Sequence, residues 1–417
     1  MNEIRRVVVT GLGAVTPIGN DVKTFWQNLL EGACGIDFIT SIPTDDLPVK
    51  IAGEVKDFKP EEYGIEPAFV RKQDRFSVLA VAAAWQAVQQ AGLDSSEAGN
   101  IDPFRYGVYV GSGIGGFTTQ MIETEKILKE GPKWVSPLFI PTMIANMAAG
   151  NIAIRNNACG PCLAVTTACA TSTHSIGEAY HAIKHGYADA VIAGGTEAVV
   201  LPLSIAGFAN AKALTRADNP KYASLPFNKN RSGFVLSEGA AMLVLEEYEH
   251  AVARGAEILA EVCGYGNTCD AHHVTAPRPD GKTQAAAIRR ALDEAGYTSD
   301  DVLYINAHGT GTLLNDTCET TAYKIALGED AYKAHISSIK GAIGHMLGAA
   351  GAIEAVASVL ALMHGVVPPT INLDEPDPEC DLNYTPNVPV EAPLTMAISD
   401  SLGFGGHNGC IAFRKLK

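Results

Sequence analysis

The chain has 417 residues, 47% hydrophobic content and 41 dispersed glycines, which excludes a disordered or fibrous protein and leaves room for two hydrophobic cores. Its net charge of −15 at pH 7 argues against a surface for nucleic acid or for an anionic membrane. Without a signal-peptide core or an apolar run of about 18 residues, we expect no membrane insertion.

Short β-branched runs alternate with helical runs along the chain, a pattern typical of an α/β protein. This pattern predicts strands at residues 6–10, 106–111, 163–167, 188–194, 240–246, 302–306, 335–338 and 395–399. Helical periodicity is clearest over residues 76–91, 170–185, 281–295, 318–327 and 348–364. We therefore expect a sheet with helices packed against it.

Two of the predicted helices resemble each other. One ends in SIGEAYHAIKHG with Gly186, and the other ends in AVASVLALMHG with Gly365. When these glycines are superimposed, Cys169 falls opposite Gly348, and each begins its helix among small residues. This weak internal repeat predicts two similar halves, with a boundary near residue 252 and central helices that pack closely.

Three of the nine cysteines lie in ACGPCLAVTTACATSTH, residues 158–174. Cys159 and Cys162 have the CxxC spacing of a thioredoxin, but they precede a predicted strand, so we assign them to packing. Cys169 follows that strand and begins a helix, where free N–H groups and the helix dipole stabilise a thiolate; a buried structural thiol is the alternative. Most other cysteines lie in apolar segments, which predicts reduced thiols and a cytoplasmic location.

Two histidines follow predicted strands and have glycines beside them. His308 lies in NAHGTGT, whose glycines permit a sharp turn with the backbone close to a ligand. His345 lies in SIKGAIGHMLGAAGAIE together with Lys340 and Glu354. The glycine-rich segment SDSLGFGGHNG, residues 399–409, offers backbone N–H groups to an oxyanion. A lone histidine is usually a core residue, but this combination favours a functional site.

These motifs together resemble the β-ketoacyl-[acyl carrier protein] synthases. TACATS around Cys169, NAHGTGT, SIKGAIGH and GFGGHNG carry the resemblance, which runs from residue 5 to nearly the end and is closest to the synthase II branch. The resemblance implies an α/β thiolase fold: two related βαβαβαββ halves in an α-β-α-β-α five-layer arrangement, usually as a homodimer. Residues 1–252 would carry the nucleophilic cysteine, and residues 253–417 the catalytic histidines.

The resemblance also implies a reaction. An acyl chain condenses with malonyl-[acyl carrier protein], with decarboxylation, to give 3-oxoacyl-[acyl carrier protein], CO2 and free carrier in fatty acid elongation. Cys169 would hold the acyl chain, while His308 and His345 would assist decarboxylation. An ion pair of Lys340 and Glu354 would orient His345. Neither a metal nor an organic cofactor is implied, because the phosphopantetheine of the acyl carrier protein holds the substrates.

Further site residues follow from the same resemblance. The backbone N–H groups of Cys169 and Leu402 would bind the oxyanion. The remaining residues fall into three groups: Thr310 and Thr312 for the pantetheine arm, Ile114, Phe208 and Leu402 for the acyl pocket, and Arg71, Lys72 and Lys133 for docking the acidic carrier. Leu402 stands where synthase II enzymes commonly have Phe, which predicts a gate that seals less completely.

Four alternatives stay open. HGTGTLLNDTCETTAYK also resembles the ketosynthase subunit of type II polyketide or polyene systems. A thiolase would use a second cysteine near the C-terminus, but Cys410 lies in an apolar strand. A non-catalytic chain-length partner would lack the nucleophile, yet Cys169 is present. A redox protein would use Cys159 and Cys162 instead.

Overall fold

The computed structural model describes residues 4–416, and ten of its strands form one mixed sheet. The strands are β1 (Val7–Val15), β2 (Ile36–Phe38), β3 (Ile51–Gly53), β4 (Tyr106–Gly111), β5 (Cys162–Leu163), β6 (Ala190–Glu197), β7 (Gly239–Glu247), β8 (Ala260–Cys269), β9 (Leu303–Asn306), β10 (His335–Ser337), β11 (Val366–Val367), β12 (Val390–Glu391), β13 (Met396–Gly403) and β14 (His407–Arg414). The pairs β2–β3 and β11–β12 form two small separate sheets.

The helices alternate with these strands. They are α1 (Val22–Leu30), α2 (Pro67–Val70), α3 (Arg75–Ala91), α4 (Phe117–Glu130), α5 (Phe139–Met143), α6 (Met147–Arg155), α7 (Thr171–Lys184), α8 (Pro202–Asn210), α9 (Tyr248–Ala253), α10 (Lys282–Ala295), α11 (Leu313–Leu327), α12 (Lys340–Ile343) and α13 (Ala350–His364). Local sequence sets their limits, as α3 shows. The Asp74 carboxylate accepts the N–H of Phe76 at its start, and Gly92 ends it with a φ of 64°.

The large sheet has the order β10-β9-β13-β14-β8-β1-β7-β6-β4-β5, in which one half repeats the other. In the N-terminal half β1 pairs antiparallel with β7, the last strand, and β7 pairs antiparallel with β6, the fourth. In the C-terminal half β8 pairs with β14, and β14 with β13, in the same way. The fourth then pairs parallel with the second, and the second with the third. The predicted α/β fold with two related halves is confirmed, whereas the boundary at residue 252, inside α9, stays a prediction.

Helices α7 and α13 contact each other in the centre of the molecule, and both contact strands from the two halves. Helices α3 and α6 cover one outer face, and α10 with α11 covers the other, which gives five layers. A Cβ atom at Gly351 would lie 2.0 Å from Oγ1 of Thr173, so only glycine permits α13 to approach α7 this closely. This close packing of the central helices agrees with the prediction from the internal repeat.

Two stretches differ from the predicted elements. Of the predicted strand 163–167 only Leu163 is paired in the sheet, together with Cys162 before it, and at the far end the N–H of Thr167 is taken by Oγ1 of Thr171 at 2.8 Å. The glycine-rich segment 399–409 is largely a β13–β14 hairpin instead of a loop. Its irregular part is confined to the turn between the two strands, where Gly405 and Gly406 have φ angles of 90° and 79°.

Burial bears on two further expectations, one about membrane insertion and one about the cysteines. Within residues 4–416, one helical stretch, Leu347–His364, is long and apolar enough to cross a membrane, and 89% of it is buried inside the fold. The central position of this helix in the fold explains its apolar character. All nine cysteines are free thiols, yet Cys159 and Cys162 are exposed, so assigning them to packing was wrong.

Candidate active site

Cys169 lies in a short 3-10 turn, Ala168–Ala170, that leads directly into α7. The preceding residue, Ala168, has a φ of 52°, a left-handed conformation that side chains rarely adopt and that concentrates at functional sites. Cys169 is buried and lines a cavity of about 320 Å³. The structure therefore places this cysteine where the sequence predicted it, at the start of a helix and facing a cavity.

His308 and His345 reach the same cavity from the C-terminal half. One ring nitrogen of each histidine and the Sγ atom of Cys169 all lie within 4.8 Å of one another. The two rings are nearly perpendicular, at 84°, with their centroids 5.2 Å apart. His308 follows β9, and His345 follows α12, so the three groups meet where the two halves of the fold join.

Both imidazoles are neutral in the ligand-free site. Burial lowers the pKa of His308 and of His345 well below the ordinary value, and the ammonium group of Lys340 lowers both further. Nδ1 of His308 and both ring nitrogens of His345 lack a hydrogen-bond partner among the described residues. These three nitrogens are therefore not held by another protein group in the described part of the chain.

The thiol of Cys169 is also neutral, because burial raises its pKa to about 12. The ammonium group of Lys340 and the nearby backbone N–H of Phe404 lower that pKa only in part. The helix-terminus effect expected from the sequence is outweighed by burial, so the resting group is a thiol. The N–H of Phe404 was missed; it lies two residues beyond Leu402, whose N–H is the predicted oxyanion donor.

The predicted ion pair of Lys340 and Glu354 is present and almost fully buried. Lys340 Nζ also donates to the backbone carbonyl of His308 at 2.5 Å. The pair therefore holds the backbone at His308, whereas it was expected to orient the ring of His345. Its influence on His345 is electrostatic, through the lowered pKa of that ring.

A buried acidic network behind His308 was not predicted. Glu319 accepts the N–H groups of His308 and Gly309 at 2.6 and 2.8 Å. The hydroxyl of Tyr323 lies 2.7 Å from both Glu319 and Asp400. Burial raises the pKa of Glu319 well above its ordinary value and that of Asp400 to about 6. The only sequence signal was the presence of Glu319 eleven residues after His308.

The two predicted pantetheine residues both line the cavity. The hydroxyl oxygens of Thr310 and Thr312 are 3.0 Å apart. A buried guanidinium that the sequence analysis missed supports this turn: Arg231 donates to the carbonyls of Thr312 and Leu313 at 3.1 and 3.0 Å. It also pairs with Asp377 at 2.5 Å. Backbone carbonyls are thus fixed while the threonine hydroxyls face the cavity.

The three predicted acyl-pocket residues lie at different depths. Leu402 lines the cavity beside Cys169. Phe208 lies behind the cavity wall and packs on the rings of Phe234 and Phe404, with centroids 5.6 and 6.3 Å away. Ile114 is outside the cavity lining and is 39% exposed. The acyl pocket therefore stays a prediction for Phe208 and Ile114.

The predicted docking cations are exposed on one side of the N-terminal half. Arg71 and Lys72 line a second cavity of about 260 Å³. Lys133 lies over the ring of Trp134, 5.1 Å from its centroid. Two further lysines precede Lys133 in α4 and are in local ion pairs, Lys126 with Glu123 and Lys129 with Glu125.

The turn between β13 and β14 is hydrogen-bonded to the loop that follows β8. Asp270 donates its N–H to the carbonyl of Gly406 at 2.7 Å, and Gly405 donates to the carbonyl of Val274 at 2.7 Å. The side chain of Asn408 donates to Asp270 at 2.7 Å. The backbone around Leu402 is thereby tied to a neighbouring loop that also lines the cavity.

A thiol, two neutral imidazoles and a backbone N–H donor in one partly closed cavity provide what acyl transfer through a thioester requires. Together with the doubled five-layer fold, this site defines an acyl-transferring condensing enzyme of the thiolase type. The β-ketoacyl synthase N-terminal domain matches residues 4–251, and the β-ketoacyl synthase C-terminal domain matches residues 259–374. The chain belongs to the β-ketoacyl synthase family.

Similar proteins agree over the whole length. The chain is 49% identical over 414 residues to 3-oxoacyl-[acyl-carrier-protein] synthase 2 of Synechocystis, with 99% of each chain covered. It is 48% identical over 417 residues to the protein of that name in Staphylococcus aureus, with 100% of each covered. The predicted enzyme class, a β-ketoacyl-[acyl carrier protein] synthase, is confirmed.

Solved structures are similar as well. A type II polyketide ketosynthase in complex with its acyl-carrier protein has a TM-score of 0.91 at 36% identity, with 100% of each chain covered. The ishigamide ketosynthase/chain length factor gives the same TM-score, identity and coverage. A β-ketoacyl synthase from Burkholderia phymatum has a TM-score of 0.90 at 32% identity, covering 99% of this chain and 100% of that one. The predicted thiolase fold is confirmed.

Proposed function

We propose that the protein elongates fatty acids by decarboxylative Claisen condensation of an acyl chain with malonyl-[acyl carrier protein]. The products are 3-oxoacyl-[acyl carrier protein], CO2 and free carrier. The observation that carries this proposal is the convergence of Cys169, His308 and His345 within 4.8 Å at one cavity. In this proposal Cys169 holds the acyl chain, and the two imidazoles move its proton and hydrogen-bond the malonyl thioester.

In the first step the sulfur of Cys169 attacks the thioester carbonyl of the acyl carrier. Because the thiol is protonated at rest, a neutral imidazole must accept its proton as the C–S bond forms. The carrier thiolate leaves and takes that proton, so the acyl chain ends on Cys169. The oxyanion formed in between binds the N–H groups of Cys169 and Leu402, with the N–H of Phe404 beside them.

In the second step malonyl carrier enters, with its arm against Thr310 and Thr312. Hydrogen bonds from His308 and His345 to the thioester oxygen stabilise the enolate that forms as the C–C bond to CO2 breaks. The enolate carbon attacks the acyl group, and the sulfur of Cys169 leaves as a thiolate that takes up one proton from solvent. The reaction balances without a redox partner or a Lewis acid, so we propose that it needs neither metal nor organic cofactor.

We propose that the partner is the acidic acyl carrier protein, which docks on Arg71, Lys72 and Lys133. All three side chains are exposed, and local positive charge is needed on a chain whose net charge is −15. The related ketosynthase structure with its bound acyl-carrier protein supports such a partner. Lys212, exposed at the cavity mouth, adds a further cation on the path of the arm.

We further propose a cytoplasmic homodimer. Strand β5 is the last strand at one end of the large sheet, and both its residues are exposed with unpaired edge groups. Leu163 in this strand is 52% exposed, and Ile140 is 55% exposed. A second copy pairing along β5 would cover this edge and these apolar side chains.

The alternative product class is a polyketide or polyene. Two ketosynthase structures support this alternative at 36% identity. The fatty acid relatives are more similar in sequence, at 48% and 49% identity. A polyketide with unreduced keto groups differs from a fatty acid in how often one chain is extended before the keto group is reduced. Incubation with acyl and malonyl carriers, without reductase, gives a single extension for a fatty acid enzyme and several for a polyketide enzyme.

Cys169→Ala tests the assignment of the two steps. We expect the variant to lose condensation and to keep malonyl decarboxylation, because both histidines remain. Elongation of acyl carriers by this variant would show that another group is the nucleophile. Cys410→Ala is the matched control, since it removes a buried thiol outside the cavity lining and should leave condensation intact.

A further inference from the structure

The turn that carries Cys169 has a counterpart in the other half. Ala168–Ala170 leads into α7, and a second 3-10 turn, Leu347–Ala349, leads into α13. The first residue of each turn has a positive φ, 52° at Ala168 and 45° at Leu347. Gly348 therefore occupies the position of Cys169, and its backbone N–H corresponds to the N–H that is proposed to bind the oxyanion.

The strands that end beside these two turns are also equivalent. Strands β6 and β13 both have eight residues and the same neighbours in their halves, and they end at Glu197 and Gly403. A Cβ atom at Gly403 would lie 3.3 Å from the backbone nitrogen of Cys169. The nearest atom would be the carbonyl oxygen of Thr167 at 2.5 Å, so glycine lets β13 pack closely on the turn and puts no side chain beside that N–H.

At the other turn the corresponding space is filled by a side chain. Glu197 is fully buried, and its Oε2 accepts the N–H groups of Gly348 and Gly113 at 3.1 and 2.9 Å. Its Oε1 accepts the hydroxyl of Ser112 at 2.8 Å and the N–H of Ile114 at 3.3 Å. A Cβ atom at Gly348 would lie 2.4 Å from the nitrogen of Gly113, so the counterpart of Cys169 must be glycine.

We propose that Glu197 is a positioning residue: its carboxylate fills the counterpart of the oxyanion hole and so fixes the loop Ser112–Ile114, which sets the acyl-chain selectivity of Cys169. The inference rests on the proposed function, because it takes Ile114 as part of the acyl pocket. Three of the four hydrogen bonds to the carboxylate come from this loop. Short acyl chains need not reach Ile114, whereas long chains must pass it.

Glu197→Gln tests the proposal with little change in volume. With its NH2 group toward Gly348 and Gly113 the amide faces two N–H donors, and in the other orientation it faces the N–H of Ile114 beside the Ser112 hydroxyl, which can rotate to accept. We expect the ratio of acylation rates for long and short chains at Cys169 to fall about tenfold, which is the loss expected for an unsatisfied buried group. Glu246→Gln is the matched control, because Glu246 is equally buried but bonds Thr10, His250 and Arg254 at another place in the fold.

Glu197→Ala provides a second measurement that needs no reaction. Removing the carboxylate empties a small anion site, so formate should raise the unfolding midpoint of this variant and restore its long-chain acylation, while acetamide should do neither. An equal loss for all chain lengths, an unchanged ratio in Glu197→Gln, or formate no better than acetamide would overturn the proposal. If Glu197→Gln does not fold, Glu197→Asp, which keeps the charge but shortens the reach, replaces it. A wild-type protein that is not acylated at Cys169 would instead refute the proposed function.

Discussion

Replacing Lys340 by methionine removes one partner of the buried ion pair below His308. The side chains of Lys340 and Glu354 are 2% and 1% exposed, so the variant leaves the carboxyl group without its counter-charge. Breaking a buried pair in this way costs about 3 to 5 kcal/mol. The cost depends on pH, because a proton on Glu354 can replace the missing lysine: burial already raises the pKa of this carboxyl to about 7, against the lowering effect of Lys340.

The sign of the pH dependence follows from linkage. Without Lys340, the pKa of Glu354 in the folded protein rises further above 4.5, the value of an ordinary glutamate. The folded variant then holds a proton that the unfolded chain releases, so it loses stability as the pH rises. The wild-type protein stops losing stability from this group above about pH 7, whereas the variant continues at up to about 1.4 kcal/mol per pH unit.

Urea unfolding at about pH 6 and about pH 8 measures this difference. We expect the gap between wild type and Lys340→Met to widen at the higher pH. The double variant Lys340→Met/Glu354→Gln should recover most of the loss and its excess pH dependence, because a neutral amide needs no counter-charge. A gap that is equal at both pH values, or a double variant less stable than the single one, would refute the reasoning.

Reversing both docking cations, Arg71→Glu with Lys72→Glu, should raise the KM for carrier-bound substrates about tenfold through lost steering. Short pantetheine thioesters should be unaffected, and equal losses on both would indicate a folding defect. Arg231→Lys should raise the KM for malonyl-pantetheine while leaving alkylation of the active-site thiol unchanged, because the carbonyls of Thr312 and Leu313 lose support and Arg231 does not contact Cys169; slower alkylation would contradict this. Leu402→Phe should slow single-turnover acylation by bulky chains more than by short saturated ones, and uniform rates would show that residue 402 does not gate.

The cluster of Cys169, His308 and His345 was predictable because each member lies in a short motif with glycines or small residues around it. Cys169, His308 and His345 each sit at a turn whose local sequence already indicates a sharp change of direction. The supporting residues were not predictable in this way. Arg231 acts on carbonyls more than 80 positions away, and Glu319 matters only because α11 folds back beneath His308.

The errors have a common physical cause as well. Sequence patterns report burial only through polarity, so the exposed Cys159 and Cys162 were taken for packing residues and the buried Cys169 for a thiolate. Likewise, only the apolar part of β14 around Cys410 was predicted as strand, because its first residues, His407 to Gly409, follow two glycines and are polar or small. Their pairing with β13 comes from the hairpin register and not from intrinsic strand preference.

The internal repeat links what the sequence could and could not reveal. Aligning two helix ends was enough to place Cys169 opposite Gly348, but not to show that both turns form anion sites. In one half the strand ends in Gly403 and the site stays open beside the thiol; in the other it ends in Glu197 and a carboxylate occupies the site. The proposed reaction forms one transient oxyanion, beside Cys169, so a second open site in the core would have nothing to bind. Filling that site with a side chain satisfies its buried N–H groups and gives the wall of the acyl pocket a fixed anchor.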